Sequence, residues 1–458
     1  MLQGFRGALL YFHDDPFRTS REEDACTFIP DGLLLVAEGK VVAAGPFEEL
    51  KHAAGAAPVQ DHRGCLLMPG FVDTHIHYPQ TEMIASYGEQ LLTWLETYTF
   101  PEEARFSDPI HARRVADHCL DELLRNGTTT AMVFGTVHPE SVDAFFEASE
   151  ARQLRMIAGK VLMDRNAPAG LLDTPERAYS ESTALIERWH NRGRARYAVT
   201  PRFAPTSSDA QLRAARRLLD EHAGVYLHTH LAENRDEVAW AESLFAHLPP
   251  PSGKTQCGYL DVYNHFGLVG PRSVFAHAIQ LEEADFRLLS TRGASIASCP
   301  TSNLFLGSGL FPFAQATGAS HPVKLGLGTD VGAGTSFGML QTLNEAYKVA
   351  QMGHQRLSPL QAFYLATLGG ARALALEDCI GSFQVGMEAD FVVLDPLATP
   401  ILATRMNSAR TLAERLFLFQ MLGDDRAIQA TYVLGKPAVA APWHQPKSEH
   451  LLWLDLTR

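Results

Sequence analysis

The 458-residue sequence predicts an α/β protein: a (β/α)8 or TIM barrel with a small β-sandwich domain built from both chain ends. Three observations carry that expectation. Across 69–377, eight short β-branched or apolar runs alternate with helical patterns, as a parallel barrel requires. Strand hairpins of similar wording stand near both ends. Hydrophobic residues make up 46% and charged residues 20%, a composition that packs a core and excludes a disordered chain. The expected division is 1–68 and 378–458 for the two parts of the β domain, around a catalytic barrel over 69–377.

The elements follow in chain order. Leu33 to Gly45 reads as two strands around a Gly-Lys turn at Gly39-Lys40. Barrel strands are expected at 70–77, 129–134, 156–161, 196–201, 225–230, 273–277, 294–299 and 324–330. Between them lie helical patterns such as 209–221, where Leu212, Ala215, Leu218 and Leu219 recur at a spacing of three and four. Strand 389–395 and hairpin 431–439, with a second Gly-Lys turn, close the chain. Neither end can bury a core alone, so the two sets are expected to share a sheet or sandwich. Residues 53–58 and 249–253 read as loops, and 412–422 as an extra helix. A doubly wound open sheet is the rival fold. Its phosphate fingerprint is missing, since Gly326-Leu327-Gly328-Thr329-Asp330-Val331 has Val where G-x-G-x-x-G needs Gly.

Charge and cysteine exclude whole classes. The net charge of −13 disfavours phosphate backbones and anionic lipid, so no nucleic-acid and no membrane partner is expected. No run reaches the ~18 apolar residues of a membrane span, and the first fifteen residues lack a secretory core. Cys26, Cys65, Cys119, Cys257, Cys299 and Cys379 form no CxxC pair. They read as reduced thiols of a cytoplasmic protein.

The histidines gather at expected strand ends. His75 and His77 lie two apart on a strand and share a face. At the C-terminal mouth of a barrel such a pair can hold a divalent metal, although an H-x-H pair also arises by chance. His228 and His230 repeat the pattern; His230 lies nearer the mouth, and His228 reads as a core residue. Glu233 follows in the loop, facing a metal-bound water or solvent. His277 and Asp330 each end a strand of small and apolar residues. An unpaired buried carboxylate is costly, which a cation would resolve; the other reading of Asp330 is a helix cap. No His is followed by Glu, which excludes H-E-x-x-H peptidases. His138-Pro139-Glu140 lacks the P-C-x-x-C of zinc deaminases of the cytidine type.

Taken jointly, H-x-H after strand 1, H-x-x-E after strand 5, His after strand 6 and Asp after strand 8 resemble the amidohydrolase superfamily. The local wording is similar to its bacterial guanine deaminases: Pro69-Gly70-Phe71-Val72-Asp73-Thr74-His75-Ile76-His77-Tyr78-Pro79-Gln80, Gly159-Lys160-Val161-Leu162-Met163-Asp164-Arg165-Asn166, Thr200-Pro201-Arg202-Phe203-Ala204-Pro205-Thr206-Ser207-Ser208 and Cys299-Pro300-Thr301-Ser302-Asn303-Leu304. Gly386-Met387-Glu388-Ala389-Asp390-Phe391 matches the return into the small domain. The resemblance runs from about residue 30 to 440, and the last fifteen residues carry none of it.

The resemblance implies hydrolytic deamination of guanine to xanthine and ammonia by a metal-activated water, in a cytoplasmic enzyme of purine catabolism that forms a homodimer. Two-metal relatives carry a bridging Lys on the fourth strand. Here Lys160 falls on the third, and 196–201 has none, so one metal is expected on His75, His77, His230 and Asp330. Zn²⁺ suits that donor set, with Fe²⁺ the other candidate. Glu233, His277 and Asp330 are the implied catalytic residues. Gln80, Arg202, Phe203, His230 and His277 are the implied substrate contacts, with Arg202 reading O6 of guanine. Trp94, Tyr98 and Phe100 read as part of a lid or as an apolar helix face. The alternatives are deamination of another aminopurine or an aminotriazine, and a non-catalytic scaffold, against which the complete ligand set weighs.

Overall fold

A computed structural model describes residues 1–88, 90–252 and 254–440. Gly253 and the end of the expected 378–458 part, including the last fifteen residues, lie outside them. Four strands open the chain: β1 (Leu2–Phe12), β2 (Cys26–Ala37), β3 (Lys40–Pro46) and β4 (Val59–Pro69). The middle supplies β5 (Phe71–His77), β6 (Thr128–Phe134), β7 (Arg155–Gly159), the two-residue β8 (Val161–Leu162) and β9 (Arg196–Pro201). It continues with β10 (Tyr226–Leu231), β11 (Ser273–His277), β12 (Ser295–Ser298) and β13 (Lys324–Leu327). β14 (Phe391–Leu394), β15 (Ile428–Val433) and β16 (Lys436–Ala440) follow.

The middle strands form one parallel sheet in the order β5-β6-β7-β9-β10-β11-β12-β13, with β8 beside β9. Every residue of β5, β6 and β7 is buried, as expected for strands with a helix layer outside and packed side chains inside. The helices supply that outer layer. Asp209–Glu221 turns Leu212, Ala215 and Leu218 inward, and Ser208 caps it by accepting from the Gln211 N–H at 3.2 Å.

The two edges of the sheet meet just past the end of β13. The Asp330 N–H donates to the His75 carbonyl at 2.9 Å, and the His77 N–H to the Val331 carbonyl at 3.0 Å. Two glycines make the approach possible. A Cβ on Gly326 would lie 2.3 Å from Thr74 Cγ2, and one on Gly328 2.8 Å from His75 Cβ. The Gly-x-Gly spacing is therefore a closure device of the barrel.

The chain ends share a seven-stranded sheet in the order β16-β15-β14-β4-β1-β2-β3. Its period of two divides the side chains. Phe5, Leu67, Phe391, Val393 and Tyr432 pack together on one face, while Leu66, Met68, Val392 and Leu394 join the main core. Both hairpins turn on a left-handed pair, Glu38-Gly39 (φ 52° and 73°) and Leu434-Gly435 (φ 51° and 73°). The turn is thus one residue earlier than the Gly-Lys reading, and the lysine opens the next strand. β1 and β4 were not among the expected strands, because their apolar residues bunch instead of alternating. The Leu412–Leu422 helix lies against the Met339–Met352 and Pro359–Leu365 helices. Gln420 Nε2 donates to the Leu343 carbonyl at 2.9 Å, and Asn344 Nδ2 to that of Met421 at 3.1 Å.

Glu388 locks the two sheets together at the N-terminal end of the barrel. Its carboxylate accepts from Arg155 Nε at 2.8 Å, on the first residue of β7, and from Arg194 Nη2 at 2.7 Å. Burial pushes this carboxyl up, but the two guanidinium groups outweigh it and hold it at about 2, below its ordinary 4.5. Removing one partner of a buried pair costs about 3–5 kcal/mol. Glu388→Gln is expected to lower the midpoint of thermal or urea unfolding without changing the secondary structure seen by circular dichroism. A depressed folded value stabilises above the unfolded value. The wild-type advantage is therefore complete above about pH 4.5 and fades as pH falls toward about 2. A gap that instead widens on acidification would contradict it.

Candidate active site

The strand ends carry the polar residues inward at one mouth of the barrel. His75 and His77 lie on β5 and His230 on β10. Asp330 stands three residues past β13, because the expected strand 324–330 ends at Leu327. His75 Nε2 is 3.1 Å and His77 Nε2 3.4 Å from Asp330 Oδ1. His77 Nε2 and His230 Nε2 face each other at 3.1 Å. One donor atom from each of these four residues lies within 4.8 Å of the others. Tetrahedral ligands 2.0–2.1 Å from a zinc ion are roughly 3.4 Å apart, which is the scale of these spacings.

The protonation of the group fits a cation. Burial depresses His75 and His230 and pushes His77 down to about 3, which favours the neutral form of the rings. Burial would raise the Asp330 carboxyl, but His75 and His77 outweigh it and keep it well below the usual carboxylate range. His230 Nδ1 lies 2.7 Å from the Arg202 carbonyl, an acceptor, so Nδ1 carries the proton and Nε2 is left a lone pair. His75 Nε2 is buried without a hydrogen bond. Neutral donors around one carboxylate, with an orphaned ring nitrogen among them, are a set that a divalent metal satisfies.

Supporting groups hold these side chains. The Asp73 carboxylate accepts from the His75 N–H at 3.1 Å and from the Thr329 N–H at 3.0 Å, and Thr329 Oγ1 donates to its second oxygen. It therefore ties β5 to the residue before Asp330. His228 is buried, as its core reading requires, but its Nε2 lies 2.7 Å from His75 Nδ1. It thereby sets the orientation of a donor ring. Lys160 is buried and paired with Asp173 and with Glu181 at 3.3 Å, away from this group. The chain leaves β7 at Gly159, so Lys160 sits between β7 and β8.

Glu233 and His277 stand beside the cluster. Ser308 Oγ donates to Glu233 Oε1 at 3.1 Å, and His277 Nε2 lies 3.4 Å from Oε2. Burial, with the Asp330 charge adding, pushes the Glu233 carboxyl up to about 8. Its backbone N–H donates to Glu237 Oε2 at 2.8 Å, and Tyr259 donates to Glu237 Oε1 at 2.7 Å. His277 Nδ1 lies 2.9 Å from Asn303 Oδ1, and Nε2 is 3.7 Å from Asp330 Oδ2. Ala232, His277 and Asp330 all have left-handed backbones, with φ of 49°, 71° and 52°. Such conformations cost about 1–3 kcal/mol each and gather where a fold fixes functional groups.

A cavity opens on the cluster. His77, His230, Glu233, His277 and Asp330 line it together with Gln80, Arg202, Phe203, Trp94 and Leu306. Trp94 therefore belongs to the wall, while Tyr98 and Phe100 pack in the apolar cluster behind it. Arg202 is buried, and its Nη1 donates to both oxygens of Glu103 at 2.9 and 2.7 Å. Gln80 Nε2 donates to Glu103 Oε1 at 3.1 Å, and Gln80 Oε1 accepts from the Gly332 N–H at 3.1 Å. Sequence reasoning missed Glu103, Asp73 and Glu237. Nothing in the sequence singled out Glu103 from its neighbour Glu102 in the Phe-Pro-Glu-Glu run.

Comparison with known proteins gives one answer at each level. The model of the amidohydrolase family matches residues 66–438. The chain is 56% identical over 413 residues to the guanine deaminase of Escherichia coli strain K12, covering 90% of this chain and 92% of that protein. The solved structure of E. coli guanine deaminase superposes with a TM-score of 0.91 at 51% identity, covering 96% of this chain and 99% of that one. A guanine deaminase from C. acetobutylicum, solved with guanine in its active site, superposes with a TM-score of 0.83 at 28% identity, covering 95% of this chain and 100% of that one. With its barrel, its strand-end histidines and Asp330 in place, this chain belongs to the amidohydrolase family, alongside the guanine deaminases it is similar to.

Proposed function

We propose that this protein is a metal-dependent guanine deaminase that hydrolyses guanine to xanthine and ammonia. The observation that carries the reading is one cavity lined both by the His77–His230–Asp330 side of the candidate metal group and by Arg202 and Gln80. The catalytic unit is the barrel over 69–377, with 1–68 and the described part of 378–458 as its accessory β domain. The reading includes a homodimer in the cytoplasm; among the described residues no helix is long and apolar enough to cross a membrane.

His75, His77, His230 and Asp330 would hold one Zn²⁺. A bound zinc supplies a Lewis acid that brings the pKa of water down to ~7. Glu233 takes one proton from the attacking water and delivers it to the ring nitrogen beside C2; the second water proton, accepted by Asp330, goes to the amine as the C2–N bond breaks and ammonia leaves. A carboxyl raised by burial suits both directions of transfer near neutral pH. His277, held by Asn303, hydrogen-bonds the oxygen added at C2. Arg202 and Gln80 face O6 and N7, and Phe203 packs beside the ring. Deamination of another aminopurine uses the same metal and proton chemistry; the Arg202 donors favour an oxopurine.

Ammonia release from a panel of guanine, adenine, cytosine and ammeline tests the assignment, and guanine should be turned over fastest by a wide margin. Elemental analysis should give about one metal per chain; two at full occupancy would require a bridging group that this site lacks. Glu233→Gln should retain the metal and lose about 10²–10⁴ in kcat. A variant within about threefold of wild type would remove Glu233 from the proton path. Arg202→Met should lower kcat/KM for guanine about ten- to hundredfold, the worth of a charge-assisted hydrogen bond. 2-Aminopurine lacks O6 and should be affected much less; equal losses on both substrates would assign Arg202 to the barrel mouth instead.

A further inference from the structure

The two groups proposed to read the purine are themselves held by a third. Glu103 is fully buried and ends the short Phe100–Glu103 helix. Both of its oxygens accept from Arg202 Nη1, and Oε1 also accepts from Gln80 Nε2. These bonds consume specific atoms. A guanidinium has five N–H donors; those on Nη1 point at Glu103, which leaves Nε and Nη2. Gln80 is pinned at both ends, since its oxygen accepts from the Gly332 N–H. Its amide is thereby fixed in orientation, with one N–H still to offer.

We infer that Glu103 is a positioning residue for substrate selection: it holds Arg202 and Gln80 so that their remaining N–H groups meet an acceptor edge, such as O6 and N7 of an oxopurine. This inference rests on the proposed guanine deamination. Carboxylate geometry is the reason for the residue type. One carboxylate accepts from a guanidinium through both oxygens and keeps lone pairs for a third donor. A neutral amide in its place has one accepting end and one donating end, which would turn an N–H toward Arg202 or Gln80. The segment also couples selection to coverage, because Leu91, Trp94 and Leu95 of the same stretch line the cavity.

The test is a double-mutant cycle of Glu103→Gln and Arg202→Met, read on guanine and on 2,6-diaminopurine, whose amine replaces O6 with a donor. Metal content is measured for each variant, because the Arg202 carbonyl also accepts from His230. Glu103→Gln should keep its metal and lower guanine kcat/KM by about tenfold or more, mainly through KM. Its preference for guanine over 2,6-diaminopurine should fall by a similar factor. In the Arg202→Met background the same change should cost less than about threefold, because the charged group it positions is gone and only the single Gln80 bond remains to be lost. An unchanged substrate preference, or equal losses in both backgrounds, would overturn the inference and leave Glu103 as a structural ion pair. If Glu103→Gln alone does not fold, the double variant decides: turnover matching Arg202→Met supports positioning, and a further tenfold loss refutes it. Wild-type protein is assayed alongside. No ammonia from guanine there would reject the proposed function itself, whereas normal turnover with an additive cycle would reject only the role of Glu103.

Discussion

The carboxylate of Asp330 is the constraint on which the rest depends. It is buried at the mouth of the barrel within reach of His75, His77 and His277. A lone ion there would be costly. Burial works against charge on the imidazoles too and favours their neutral, lone-pair form. A cation is the one partner that satisfies the whole group, and the surrounding structure keeps the donors ready for it. Asp73 ties His75 to Thr329, His228 fixes the ring of His75, and the Arg202 carbonyl fixes the ring of His230. The rings of His75 and His230 thus each have a second contact that sets their direction, as metal sites require, whereas His77 Nδ1 is buried without one.

Barrel closure serves the same end. Gly326 and Gly328 let β13 approach β5 closely enough for the Asp330 N–H to bond the His75 carbonyl. The backbone then leaves the sheet in a left-handed conformation at Asp330, as it does at Ala232 and His277. These three turns aim the carboxylate, Glu233 and the His277 ring into one cavity. The packed sheet lies below them, and Glu388 binds the small sheet to the opposite end of the barrel. Stability and chemistry are therefore separated by the length of the strands.

Inside the cavity the polar groups divide into two functions. The histidines, Asp330 and Glu233 supply lone pairs and a site for protons. Arg202 and Gln80 carry N–H donors and are both bonded to Glu103. Trp94, Leu95, Phe203 and Leu306 add apolar wall to the same cavity. In such an enclosure a mismatched donor or acceptor has no water to turn to, which is how a small pocket discriminates between bases that differ by one exocyclic group.

Much of this was legible in the residues alone. The alternation of strands and helices announced a barrel, and H-x-H, H-x-x-E, His and Asp at strand ends marked its mouth, because strand period and parallel topology carry such residues to one side. Gln80, Arg202 and Phe203 were legible only through family resemblance, since nothing in their spacing says that they share a cavity. Other features needed the tertiary structure. Asp73, Glu103 and Glu237 are single acids whose meaning lies in partners up to 256 positions away in the chain, as with Asp73 and Thr329. His228 looks like a core residue in sequence because burial is a local expectation, whereas its bond to His75 depends on two strands brought together across the barrel. The glycines of 326–328 looked like a failed phosphate loop until the neighbouring strand showed what they accommodate. Local sequence determined which residue types reach the mouth; only closure of the barrel decided which of them face one another, because those distances are set by contacts between segments that the chain itself keeps far apart.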